Sequence, residues 1–211
     1  VAKVGITITD LDDNPTLTYT ENDASISYYQ TKDTLRNPED YKFFLKNVTH
    51  GFRTSPFYKK YKRDLMEKGL DRCFIQSNLT SEHCSIEMHH NILTIFDIAF
   101  MICEHQLNTV GKINTFELIS LLKYEHSINN VPIAMITITG HELNHSSDDF
   151  FIHPNSTFGN WVNLIRKYNK GMTPEIANKL IRYLNNCIQY GKSSDGELLK
   201  LREDIYDWCI I

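Results

Sequence analysis

Two short segments constrain this chain more than anything else in it: Ser85-Ile86-Glu87-Met88-His89-His90 and Thr139-Gly140-His141-Glu142-Leu143-Asn144-His145. Four of the nine histidines fall there, one pair adjacent and one pair four apart. Such clustering points to one metal site built from two elements. If the second segment enters a helix after Gly140, His141 and His145 lie one turn apart on one face, about 5–6 Å between Cβ atoms. Both rings can then reach one ion. If the first segment is extended, neighbouring side chains point to opposite faces, so one of His89 and His90 can bind an ion while the other faces a substrate. Neutral imidazole is a ligand for zinc, nickel and related ions, and three histidines with an open position describe a catalytic site rather than a closed structural one.

The second segment taken alone, His141-Glu142-Leu143-Asn144-His145, matches the zinc-protease pattern H-E-x-x-H, with two histidine ligands and Glu142 as base. It follows the strand-like run Ile133 to Thr139, and His153 stands eight residues past His145, a spacing that does not fit the extended protease pattern. A zinc metallopeptidase is therefore one reading.

The two segments together resemble the two ends of the ββα-metal motif of HNH endonucleases, in the colicin-type form with a His-His pair on the first strand and H-x-x-x-H on the helix. Leu79 to Ile98, Val131 to His145 and Phe150 to Trp161 are similar to phage-encoded HNH proteins. The resemblance implies that His89 and His141 hold one divalent metal ion (Zn, Mg, Mn or Ni), with His145 as third ligand or as a phosphate contact, that His90 is the general base, and that Glu87 is a supporting carboxylate. In place of the family's middle asparagine it implies Asn130, or Asn129. The chemistry suits phosphodiester hydrolysis, in which a metal ion acts as Lewis acid and a histidine of near-neutral pKa activates water.

Composition frames these readings. With 211 residues, 41 % hydrophobic and 23 % charged, the chain is long enough to bury a sizeable core. Its net charge of −4 argues against general nucleic-acid binding but leaves room for a local basic surface. That surface is expected on Phe57-Tyr58-Lys59-Lys60-Tyr61-Lys62-Arg63, where Lys59, Lys60, Lys62 and Arg63, with Arg53, are candidate contacts to DNA phosphates; the alternative is a solvated helix face. No stretch approaches the roughly 20 apolar residues of a membrane span, and no signal peptide is read at Val1 to Asp13. Cys73, Cys84, Cys103, Cys187 and Cys209 form no C-x-x-C pair, which reads as reduced thiols in a cytoplasmic protein.

Residues 1 to 30 are expected to form a β-hairpin turning at Asp13-Asn14-Pro15. Asn37-Pro38 and Ser55-Pro56 each predict a helix start, with the polar residue as N-cap. Cys73-Phe74-Ile75 is predicted to pair with Ser85 to Met88. Two apolar helices follow, one from about Ile92 to His105 and one capped by Asn114 or Thr115, separating the first strand from a second at Val131 to Thr139. Phe150 to Asn155 is expected to be a strand and loop near the site. Thr173-Pro174 and Asp195-Gly196 open two C-terminal helices.

The expectation is thus an α+β chain: an N-terminal hairpin and helical region (1–70), an HNH-like ββα-metal core with two inserted helices (71–161), and a C-terminal helical region (162–211). The function implied is a metal-dependent DNA endonuclease, phage-encoded and working in the host cytoplasm. The alternatives are a non-catalytic virion or DNA-packaging component keeping the same fold, with phage proteins as partners, and the zinc metallopeptidase.

Overall fold

The computed structural model describes residues 29–146, 152–190 and 196–209. The hairpin expected over 1–30 lies outside the described residues, apart from Tyr29 and Gln30.

Cap chemistry sets most of the helices. Asn37 accepts a hydrogen bond from the Glu39 N–H, and α1 runs over Pro38–Thr54. Ser55 then closes α1 and opens α2 (Pro56–Glu67), its hydroxyl accepting from the Tyr58 N–H. One residue thereby fixes the elbow between two helices. Reciprocal capping boxes begin the next pair. Thr94 and Asp97 start α3 (Ile95–Thr109), and Asn114 and Glu117 start α4 (Thr115–Ser127).

Two strands form an antiparallel pair, β1 (Ile86–His90) and β2 (Ile133–Thr137), in a register that sets Ile86 against Thr137 and His90 against Ile133. The helices α3 and α4 sit between them in sequence. The predicted pairing of Cys73–Ile75 with the first strand does not form. Instead the Phe74 N–H donates to the Met135 carbonyl on β2, and Arg72 bridges to Thr80 within the preceding loop. β1 finds its partner across the inserted helices because β2 supplies a fully apolar row, Ile133 to Ile136, that is buried throughout.

After β2 the chain passes directly into α5 (Ile138–Ser146). The helix starts earlier than the Gly140 turn signal implies, because Thr137 Oγ1 accepts the Gly140 N–H at 3.1 Å, as an N-cap side chain does. The expected strand around residue 152 is absent among the described residues. A short 3₁₀ turn occupies Pro154–Ser156, and Phe158 bridges to Ile133 on β2. Gly159 follows at φ 105°, so close to the Val131 carbonyl that a Cβ would sit 2.2 Å from it. Glycine is required there.

The C-terminal third is helical: α6 (Trp161–Lys167), a 3₁₀ turn at Asn169–Gly171, α7 (Pro174–Tyr190) and α8 (Gly196–Cys209). One apolar cluster joins these helices to the rest, running from Leu35 on the N-terminal side to Ile205 on α8. The architecture is α+β, mostly helical, with one small antiparallel sheet. No described helix is long and apolar enough to cross a membrane.

Candidate functional site

The period of two along β1 divides its polar residues between two faces. Glu87 and His89 face α5, whereas His90 turns into the core. On α5, His141 and Asn144 are three apart and share the face toward the strand. His141 Nδ1 lies 2.5 Å from Glu87 Oε2, so its N–H donates to the carboxylate. The Asn144 amide donates to His89 Nε2 at 3.0 Å, and the His89 and His141 rings meet edge to face with centroids 4.7 Å apart. Four side chains from two elements thus form one half-buried cluster. Asn144 went unread in the sequence, although its spacing from His141 is the helical signal for a shared face. Glu142 and Leu143 lie on the exposed side of the same helix.

His90 has a different environment. It is 7 % exposed, and its Nε2 lies 3.1 Å from Nε2 of the fully buried His126 on α4. His126 Nδ1 is 2.7 Å from the Leu122 carbonyl, which can only accept, so His126 carries its hydrogen on Nδ1. His126 Nε2 is then the acceptor and His90 Nε2–H the donor. Tyr58 stacks on His90 at 6.2 Å, and Phe52 and Tyr61 pack on His126. Burial, reinforced for His90 by the positive charge of Arg53, pushes both imidazoles down, His126 to about 4. Both are neutral near pH 7.

Asn130 is drawn into another network. Its amide donates to Glu125 Oε2 at 2.7 Å and its carbonyl accepts from Asn163 at 3.3 Å. Glu125 is completely buried and also accepts from Lys167 Nζ at 2.5 Å and the Tyr168 hydroxyl at 2.8 Å. This carboxylate fastens α4 to α6 and the loop before β2. Asn129 has φ 56°, and its carbonyl accepts the Asn160 N–H at 2.7 Å.

Of the predicted metal ligands, His89 and His141 are brought together; the side chain of His145 lies outside the described residues. Among the described residues no group of three or more His, Cys, Asp or Glu side chains is disposed to hold an ion. The donor atoms of Glu87, His89 and His141 that the structure pairs are turned to each other or to Asn144 rather than to one shared point.

The predicted basic set also divides. Lys60 pairs with Asp64 at 2.5 Å, Arg63 approaches Glu67 at 4.0 Å, and Lys59 stands exposed on α2. Arg53 and Lys62 instead line a cavity of ≈ 280 Å³ together with Tyr58, Glu87, His89 and His141.

A mostly helical α+β chain whose strand pair and following helix carry a histidine–carboxylate cluster is the class these observations define. The model of the bacteriophage G278-like virion protein family matches residues 3–207, and the chain belongs to that family. No curated protein and no solved structure matches it. The match supports the phage origin implied by the resemblance and corrects the family: it is one of virion proteins, not of HNH endonucleases. The two motifs that prompted the resemblance lie on β1 and on α5, which directly follows β2, the partner strand of β1. The catalytic roles read from it for His90, Asn130 and Glu87 gain no support from the match, nor does DNA as the expected partner.

Proposed function

We propose that this chain is a non-catalytic structural component of a phage particle, whose partners are other proteins of that particle. The family match over residues 3–207 carries the reading. The side-chain arrangement is consistent with it. The Glu87–His141 and His89–Asn144 pairs pin α5 across the strand, and the His90–His126 pair sits in the core between β1 and α4. Polar groups at these positions are spent on one another, which suits a part that must hold its shape in an assembly.

The test has two arms. Gradient-purified particles are expected to contain the chain at a constant copy number through repeated banding, measured by quantitative mass spectrometry. The isolated protein, resupplied separately with Mg²⁺, Mn²⁺, Ni²⁺ and Zn²⁺, is expected to leave supercoiled plasmid and casein intact. Absence from banded particles, or plasmid nicking that disappears in His90→Ala, would overturn the reading.

A further inference from the structure

The elbow between α1 and α2 presents three donors to one cavity. Arg53 lies in the last turn of α1, and Tyr58 and Lys62, four residues apart, share one face of α2. All three line the ≈ 280 Å³ cavity that faces the Glu87–His141 cluster. Among the described residues neither Arg53 nor Lys62 has a carboxylate partner, whereas Lys60 and Arg63 on the same helix have Asp64 and Glu67. The Tyr58 hydroxyl is likewise without a hydrogen-bond partner among the described residues. Its partial burial pushes its pKa up, so it remains a donor. The single carboxylate in the lining, Glu87, is bonded by His141. Two cations with no carboxylate bonded to them and a phenol therefore line one solvent-accessible space, against the single carboxylate of Glu87. Arg53 offers a planar fork, Lys62 a point charge and Tyr58 a single O–H. A planar carboxylate is satisfied by the fork alone. A tetrahedral oxyanion presents oxygens in several directions and can use all three.

We propose that this cavity binds a phosphate group through Arg53, Tyr58 and Lys62. The group comes either as free phosphate or as part of a phosphodiester, and the cavity leaves room beyond the oxyanion for what carries it. This role goes beyond the structural one, and its failure leaves that one standing.

The experiment is calorimetric titration of the full chain at constant ionic strength, first with inorganic phosphate and then with a thymidine dinucleotide. Saturable binding of at least one probe is expected. Arg53→Gln and Lys62→Gln should each weaken it by about tenfold or more, the loss of one charge-assisted hydrogen bond. Lys60→Gln and Arg63→Gln, whose charges are paired outside the cavity, should stay within about twofold. Tyr58→Phe keeps the ring stacked on His90 and should weaken binding with an unchanged circular-dichroism melt. Tighter binding of the dinucleotide assigns the phosphodiester form, and tighter binding of inorganic phosphate assigns the free ion. No saturable binding of either probe, or equal affinity in an Arg53→Gln/Lys62→Gln double variant that melts as the parent does, overturns the proposal.

Discussion

His126 accepts from His90 only while its own Nε2 is unprotonated; burial holds it so, outweighing the Leu122 carbonyl and the Glu125 carboxylate, which both favour the protonated ring. The folded-state pKa of His126 is about 4, against about 6.5 in an unfolded chain. The unfolded state therefore takes up a proton first as pH falls. The stabilising contribution is complete above about 6.5 and is lost progressively down to about 4. Denaturant titrations at pH 7.5 and pH 5 should differ by about 2 kcal/mol from this site alone, and His126→Gln should flatten that difference. Glu125 makes a second residue-scale case. Glu125→Ala leaves the amide of Asn130 and the hydroxyl of Tyr168 without their acceptor, and should cost about 3 kcal/mol or more in the same titration. The histidine clustering was legible in the sequence because it is local. His126 was not, since it stands 36 residues from His90 and nothing in its own neighbourhood distinguishes it from a solvated histidine near a helix end.

Helix starts were the most legible elements. Asn37, Ser55 and Asn114 each cap the helix expected of them, since an N-cap is decided by a few consecutive residues. Strand partners were not, because pairing depends on which apolar row the folded chain brings alongside. Reading Cys73–Ile75 as the partner of β1 chose the nearest candidate, whereas β2 wins through burial. The turn at Asn169–Gly171 went unread for the same reason, although it packs tightly on α3. A Cβ on Gly171 would lie 1.8 Å from the Met101 carbonyl and 2.8 Å from the His105 nitrogen. Backbone cannot yield as a side-chain tip does, so Gly171→Ala should destabilise by about 3 kcal/mol or more, beyond ordinary overpacking. Equilibrium unfolding followed by far-ultraviolet circular dichroism measures it.

Across the molecule, one apolar cluster links α1 to α8, and a shared core favours unfolding as one unit. Thermal unfolding is expected to be a single transition, with coincident midpoints from circular dichroism and from the fluorescence of Trp161 and Trp208. Separate midpoints would show that the C-terminal helices unfold independently. At this scale the mixed α+β class was legible from the strand-like run Val131 to Thr139 and from the helical apolar spacings on either side of it. The activity was not, because a short motif fixes a local geometry that proteins of different function share.

The placement of α3 and α4 between β1 and β2 carries a consequence in time. Pairing His90 with Ile133 closes a long loop, whose entropy must be met before any ladder hydrogen bond forms. The capped helices between them need no such closure, and their packing shortens the distance the strands have left to cross. Refolding should thus gain its helical signal before its sheet contacts. Met135→Ala on β2 should chiefly accelerate unfolding, while Leu118→Ala on α4 should chiefly slow folding, as stopped-flow chevrons of the two variants would show. The sheet that holds the histidine cluster is then the last part of the molecule to be made.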